Sequence, residues 1–155
     1  MLDLIIRNGK CYIDGELKEV DVSIKDKKIH QIGQISEEAK ETIDASGHTV
    51  LPGCIDTQTH FREPGSTDTE DLHSGSRAAI AGGITSVFEM PNTNPPTSNK
   101  KEFQRKLDLA KNRMYCNYAF YFGATADNAD DLASLKDLEG CCGIKLFAGS
   151  STGNL

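Results

Sequence analysis

Apolar residues follow two regimes along this chain, and the change comes near Val50. Before it, short apolar runs are separated by polar turns. Leu4-Ile5-Ile6 leads into Asn8-Gly9, and Cys11-Tyr12-Ile13 into Asp14-Gly15. Val20, Val22 and Ile24 alternate with polar residues, Lys25-Asp26-Lys27-Lys28 turns the chain, and Ile29 and Ile32 resume the pattern. Such runs, punctuated by Asn-Gly and Asp-Gly, predict short strands joined by tight turns. Residues 1–49 are therefore expected to form a small β-sandwich-like domain.

After Val50, strand and helix patterns alternate. Leu72 to Ala81 has helical character and stops at Gly82-Gly83. Ile84 to Met90 reads as a strand, followed by the Pro-rich loop Pro91 to Pro96. Ser98 is placed to cap a helix from about Lys100 to Asn112, with Phe103, Leu107 and Ala110 on one face. Tyr115 to Phe122 predicts a third strand, Ala129 to Leu138 a third helix, and Gly143 to Phe147 a fourth strand. Strands separated by helices imply parallel β-α units and an α/β fold for residues 50–155.

Charge and composition narrow the classes. The formal net charge is -6 without a basic cluster, which argues against nucleic acid. There is no apolar run of about 18 residues, so no membrane span is expected. Met1 to Arg7 carries an early acid and only a short apolar run, unlike a signal peptide. The five cysteines (Cys11, Cys54, Cys116, Cys141 and Cys142) include no C-x-x-C pair. Reduced thiols and a cytoplasmic location are the expectation.

Candidate chemistry concentrates in Leu51 to Gly65, where a short strand ends in His60, Arg62 and Glu63 and then turns at Pro64-Gly65. Enzymes of the α/β class place their chemistry at strand C-termini in this way. Side-chain alternation is expected to put Asp56, Gln58 and His60 on one face. The stretch resembles the first barrel strand of the amidohydrolase superfamily, and His60-Phe61-Arg62-Glu63-Pro64-Gly65 resembles the dihydroorotases in particular. Met90-Pro91-Asn92-Thr93, Lys145-Leu146-Phe147, Gly75 to Ala79 and Gly123-Ala124-Thr125 extend the likeness over the chain. It implies a partial (β/α)8 TIM barrel, about the first half, preceded by the small N-terminal β domain. A whole barrel typically needs about 250 residues.

The resemblance assigns roles, each beside a plainer reading. Family members carry His-x-His as two metal ligands. Here His60 keeps the second position and Gln58, a neutral amide, stands in the first. His60 could equally be a hydrogen-bonded strand-end residue. Arg62 is either an ion-pair partner of Glu63 or a planar fork for a substrate carboxylate. Asn92 either makes an Asx turn or helps bind that substrate. Lys145 either snorkels from a strand end or, as the resemblance implies, is carboxylated by CO₂ into an anionic metal ligand. The family's two later histidine ligands and its general-base Asp are expected beyond Leu155, so the chain by itself is expected to be inactive.

The resemblance implies a zinc-dependent cyclic amidohydrolase, with one or two ions in the complete protein. Metal-activated water would interconvert dihydroorotate and carbamoyl-aspartate in pyrimidine biosynthesis. Hydantoinase and allantoinase relatives share the metal logic and form an alternative. A further alternative, motivated by Gln58, is a non-catalytic homologue that acts as a structural partner, for example of aspartate transcarbamoylase. Open strand edges in the half barrel predict a homo-oligomer.

Overall fold

The computed structural model describes residues 1–152 and Leu155. The chain divides into two compact units, Met1–Pro52 and Gly53–Leu155. In the first, β1 (Leu2–Arg7), β4 (Asp21–Lys25), β5 (Lys28–Gly33) and β6 (Ala39–Asp44) form a sheet in the order β5-β4-β1-β6. A second sheet runs β3-β2-β7, from Glu16–Glu19, Lys10–Ile13 and Thr49–Val50. Leu2, Ile5 and Ile35 are the buried centre of this unit.

The turns follow from local chemistry. Asp14 and Gly15 both take positive φ (53° and 86°), giving the two-residue hairpin between β2 and β3. Asp26 and Lys27 (52° and 62°) do the same between β4 and β5. Two strands escape the hydrophobic pattern. β3 reads Glu-Leu-Lys-Glu and is exposed throughout, and β6 reads Ala-Lys-Glu-Thr-Ile-Asp with only Ala39 half-buried. β6 is held by its parallel ladder to β1 rather than by apolar alternation.

The second unit is a parallel four-stranded sheet in the order β11-β10-β9-β8. Its strands are β8 (Cys54–Thr59), β9 (Ile84–Glu89), β10 (Asn117–Gly123) and β11 (Cys141–Lys145). Helices α1 (Leu72–Ala81) and α2 (Lys100–Ala110) connect the first three strands. Phe61, Leu72, Val87, Phe103, Phe120, Phe122 and Leu135 fill the core of this unit. Gly75 lets α1 sit directly on Phe61, because a Cβ there would lie 2.4 Å from the ring. The outer strands β8 and β11 expose Ile55 and Ile144, as the open-edged half barrel predicts.

Two expected elements differ. The cap of α2 is Asn99, whose Oδ1 accepts from the Glu102 N–H at 2.9 Å, rather than Ser98. Residues Ala129–Asp137 form a 3-10 helix, not an α-helix. Asn128, at its N-cap, makes no capping bond because its amide is spent elsewhere. It donates to the Ser98 and Gly123 carbonyls and accepts from the Thr125 N–H. Without a cap, a short segment loses one of the interactions that favour an α-helical start.

Beneath the sheet's C-terminal edge lies an ion pair between Glu89, the last residue of β9, and Lys106 of α2. Both are fully buried. Lys106 Nζ also donates to the Met90 carbonyl at 3.0 Å and lies 5.2 Å from the Phe120 ring centroid. Burial pushes the Glu89 carboxyl up to about 7 and the Lys106 ammonium down, while each partner pulls the other back. Removing one member strands a buried charge. Lys106→Ala is therefore expected to cost about 3–5 kcal/mol in chemical denaturation, with Lys106→Met plus Glu89→Leu recovering most of it. Equal losses in the single and double variants would contradict this account.

Candidate functional site

The C-terminal ends of the parallel strands gather His60 and Arg62 after β8, Asn92 after β9, and Lys145 at the end of β11. His60 Nδ1 lies 2.9 Å from Asn92 Oδ1. An amide oxygen can only accept, so the proton sits on Nδ1 and the free electron pair on Nε2. Asn92 Nδ2 in turn donates to Ser151 Oγ at 3.0 Å. Asn92 thus bridges the loops that follow β8 and β11. Desolvation lowers the His60 pKa; the Asn92 bond opposes this, and the charges of Arg62, Lys145 and Lys106 reinforce it.

The loop carrying Arg62 is fixed by its neighbour. Glu63 is buried and accepts from Arg113 through two nitrogens, at 2.8 and 3.1 Å, and from the Leu72 N–H at 2.9 Å. It therefore joins the strand-end loop to the start of α1 and to the segment after α2. Arg62 itself has φ of 60°, is half-buried, and makes no ion pair or side-chain hydrogen bond among the described residues. The pairing of Arg62 with Glu63 allowed by the sequence is replaced by Glu63–Arg113.

Gln58 is less favourably placed than simple alternation suggests. Its N–H donates to Asp56 Oδ1 at 2.9 Å, and the register with β9 shifts between Asp56 and Thr59. The pleat is therefore broken over the stretch expected to align Asp56, Gln58 and His60, and the Gln58 side chain is exposed. Lys145 is half-buried, with Nζ 5.1 Å from the Phe147 ring centroid.

These donors fit a metal ion as part of a larger set. His60 presents an unprotonated Nε2, backed by a hydrogen bond on its other nitrogen, which is the arrangement a histidine ligand needs. As an ammonium Lys145 cannot ligate; as a carbamate it offers two oxygens. Among the described residues no group of three or more His, Cys, Asp or Glu could hold an ion. Sequence reasoning missed Glu89, Lys106, Arg113 and Ser151 as parts of the site's framework, and gave Glu63 the wrong partner. A lysine near Phe103 and Ala110 on the apolar face of α2, and a glutamate ending an apolar strand, were the available signals. In the metal-free protein, Asn92→Leu is expected to lower the His60 pKa further and Asn92→Asp to raise it. An NMR titration that finds both variants unchanged would remove the His60–Asn92 contact.

Comparison with known proteins identifies the family and the fold. The Amidohydrolase family profile matches residues 49–142. An allantoinase of Escherichia coli O1:K1 / APEC is 41% identical over 146 residues, covering 94% of this chain and 32% of its own length. The L-hydantoinase (dihydropyrimidinase) of Arthrobacter aurescens superposes with a TM-score of 0.89 at 31% identity, over 100% of this chain and 35% of that one. The D-hydantoinase of Bacillus sp. AR9 gives 0.75 at 30% identity, over 90% and 32% of the two chains. The chain thus spans about a third of the length of the curated relatives it matches, and its parallel sheet corresponds to part of a hydrolase barrel. On the family match over residues 49–142 and the 41% identity along 94% of the chain, this chain belongs to the amidohydrolase family.

Proposed function

We propose that this chain contributes the first strands of a metal-dependent hydrolase that opens a cyclic amide of the allantoin or hydantoin type. The observation that carries the reading is the 41% identity to an allantoinase along 94% of the chain. The dihydroorotase reading drawn from the His-Phe-Arg-Glu-Pro-Gly motif gives way to the hydantoinase and allantoinase alternative, because the matching relatives bear those names. Zinc, when bound, would polarise the ring carbonyl and activate water. His60 offers Nε2 to such an ion, Lys145 contributes if carboxylated, and Gln58 supplies at most a weak neutral oxygen. Asn92 orients His60 and lies within reach of a ring in the mouth of the barrel.

One observation keeps dihydroorotate as a second reading. Arg62 is half-buried and makes no side-chain bond among the described residues, as a guanidinium reserved for a substrate carboxylate would be. Steady-state assays of a barrel-length protein carrying this chain, with allantoin, hydantoin and dihydroorotate, separate the two. Allantoin or hydantoin is expected to be the best substrate. Turnover of dihydroorotate alone would restore the first reading, and turnover of none by a folded, metal-loaded protein would leave the non-catalytic partner. The 155-residue chain by itself is expected to show no turnover.

Two substitutions sharpen the assignment. If the favoured substrate carries a carboxylate, Arg62→Lys is expected to lower kcat/KM roughly tenfold to a hundredfold, since a charge-assisted fork is worth about 1.5–3 kcal/mol. An unchanged value would take Arg62 out of the site. Gln58→His adds an imidazole two residues from His60 and is expected to raise metal occupancy after dialysis against a weak chelator. Elemental analysis showing two tightly held ions in the unmodified protein would overturn the view that Gln58 loosens the centre.

A further inference from the structure

We infer that Lys106, buried under the sheet and remote from solvent, is a positioning residue that sets the orientation and tautomer of His60 through the Met90 peptide and Asn92. The inference rests on the reading of His60 as a site residue, and the path is short. Lys106 Nζ donates to the Met90 carbonyl at 3.0 Å. The N–H of the same residue donates to the Thr59 carbonyl at 2.9 Å, one residue before His60. Met90 is therefore held from the helix side by Lys106 and from the strand side by β8. Two residues on, Asn92 Oδ1 accepts the His60 Nδ1 proton.

The intervening backbone leaves little slack. The Pro91 carbonyl accepts from the N–H groups of Thr93 and Thr97, both at 2.9 Å, so the loop folds back on itself directly beside Asn92. Thr93 Oγ1 closes the same turn by donating to the Pro95 carbonyl at 2.9 Å. A displacement of Met90 is thus passed to Asn92 rather than absorbed. Glu89 explains why the cation is retained at so dry a position. Its carboxylate is paired with Lys106 and has only weaker help from the Phe61 N–H and the Arg62 charge, so each charge leans on the other. A neutral side chain of the same length would fill the space yet leave the Met90 carbonyl without its donor.

The test uses a barrel-length protein carrying this chain, ¹⁵N-labelled at histidine and stripped of metal, with His60→Gln assigning the signal. The unmodified protein is expected to show His60 as a single Nδ1–H tautomer. Lys106→Met with Glu89→Leu, which removes the donor while preserving packing, is expected to give a mixture of tautomers and to weaken zinc binding about tenfold or more. Glu89→Gln alone lowers stability but keeps an amide oxygen that accepts from Nζ, so Lys106, as ammonium or neutral amine, still donates to the Met90 carbonyl and the single tautomer is expected to persist. In an Asn92→Ala background the Lys106 and Glu89 changes are expected to add nothing. Should the double variant unfold, Lys106→Leu with Glu89→Gln serves in its place. An unchanged tautomer in a cooperatively folding double variant, loss of the tautomer in Glu89→Gln, or an undiminished effect in the Asn92→Ala background would each overturn the assignment. Because the readout needs no substrate, failure of the proposed activity leaves it intact.

Discussion

Two charges withdrawn from water under the sheet, on Glu89 and Lys106, constrain everything above them. An ammonium in such a place survives only with a carboxylate beside it and its remaining protons directed to other acceptors. That requirement fixes where α2 lies against β9 and where the Met90 carbonyl points. The loop from Pro91 to Thr97 then starts from a defined peptide, and Asn92 reaches His60 across the gap between β8 and β9. The ion pair is weak evidence of stability. Its consequence is directional: it specifies a single arrangement of the strand ends.

A second buried carboxylate does comparable work one loop earlier. Glu63 takes two guanidinium nitrogens from Arg113 and the N–H of Leu72 at the start of α1, where a helix N-terminus favours negative charge. By satisfying Glu63 elsewhere, Arg113 frees Arg62, its immediate neighbour in sequence. Two adjacent residues of opposite charge therefore do different things. One ties the loop down; the other is half-buried and makes no side-chain bond among the described residues. A count of nearby charges would have paired them with each other.

The likeness to allantoinase and hydantoinases identifies the parallel sheet as part of a wider barrel. Three of the four strand ends carry candidate groups: an imidazole and a guanidinium after β8, an amide after β9 and an amine at the end of β11. The donors are too few among the described residues to hold an ion alone. At Gln58 the N–H donates to the Asp56 carboxylate, and the register with β9 shifts over the same stretch.

Much of the fold was legible in the sequence because the signals were local. The Asp14-Gly15 turn, the change of period at Val50, and the apolar strands Ile84 to Met90 and Tyr115 to Phe122 each express a backbone preference or a buried face. The motif around His60 and Arg62 was visible for the same reason, as was Asn92 in its Pro-rich loop. What tertiary structure alone decided was partnership. β6 is a strand because β1 lies beside it, and the 3-10 segment Ala129–Asp137 starts without a side-chain cap because the Asn128 amide is taken by Ser98, thirty residues away, and by Gly123 and Thr125. Glu63 belongs to Arg113, fifty residues away, rather than to Arg62. Lys106 is buried because Glu89 meets it there. A sequence records which side chains carry charge; only the packed chain determines which of them water can no longer reach, and so which must find each other.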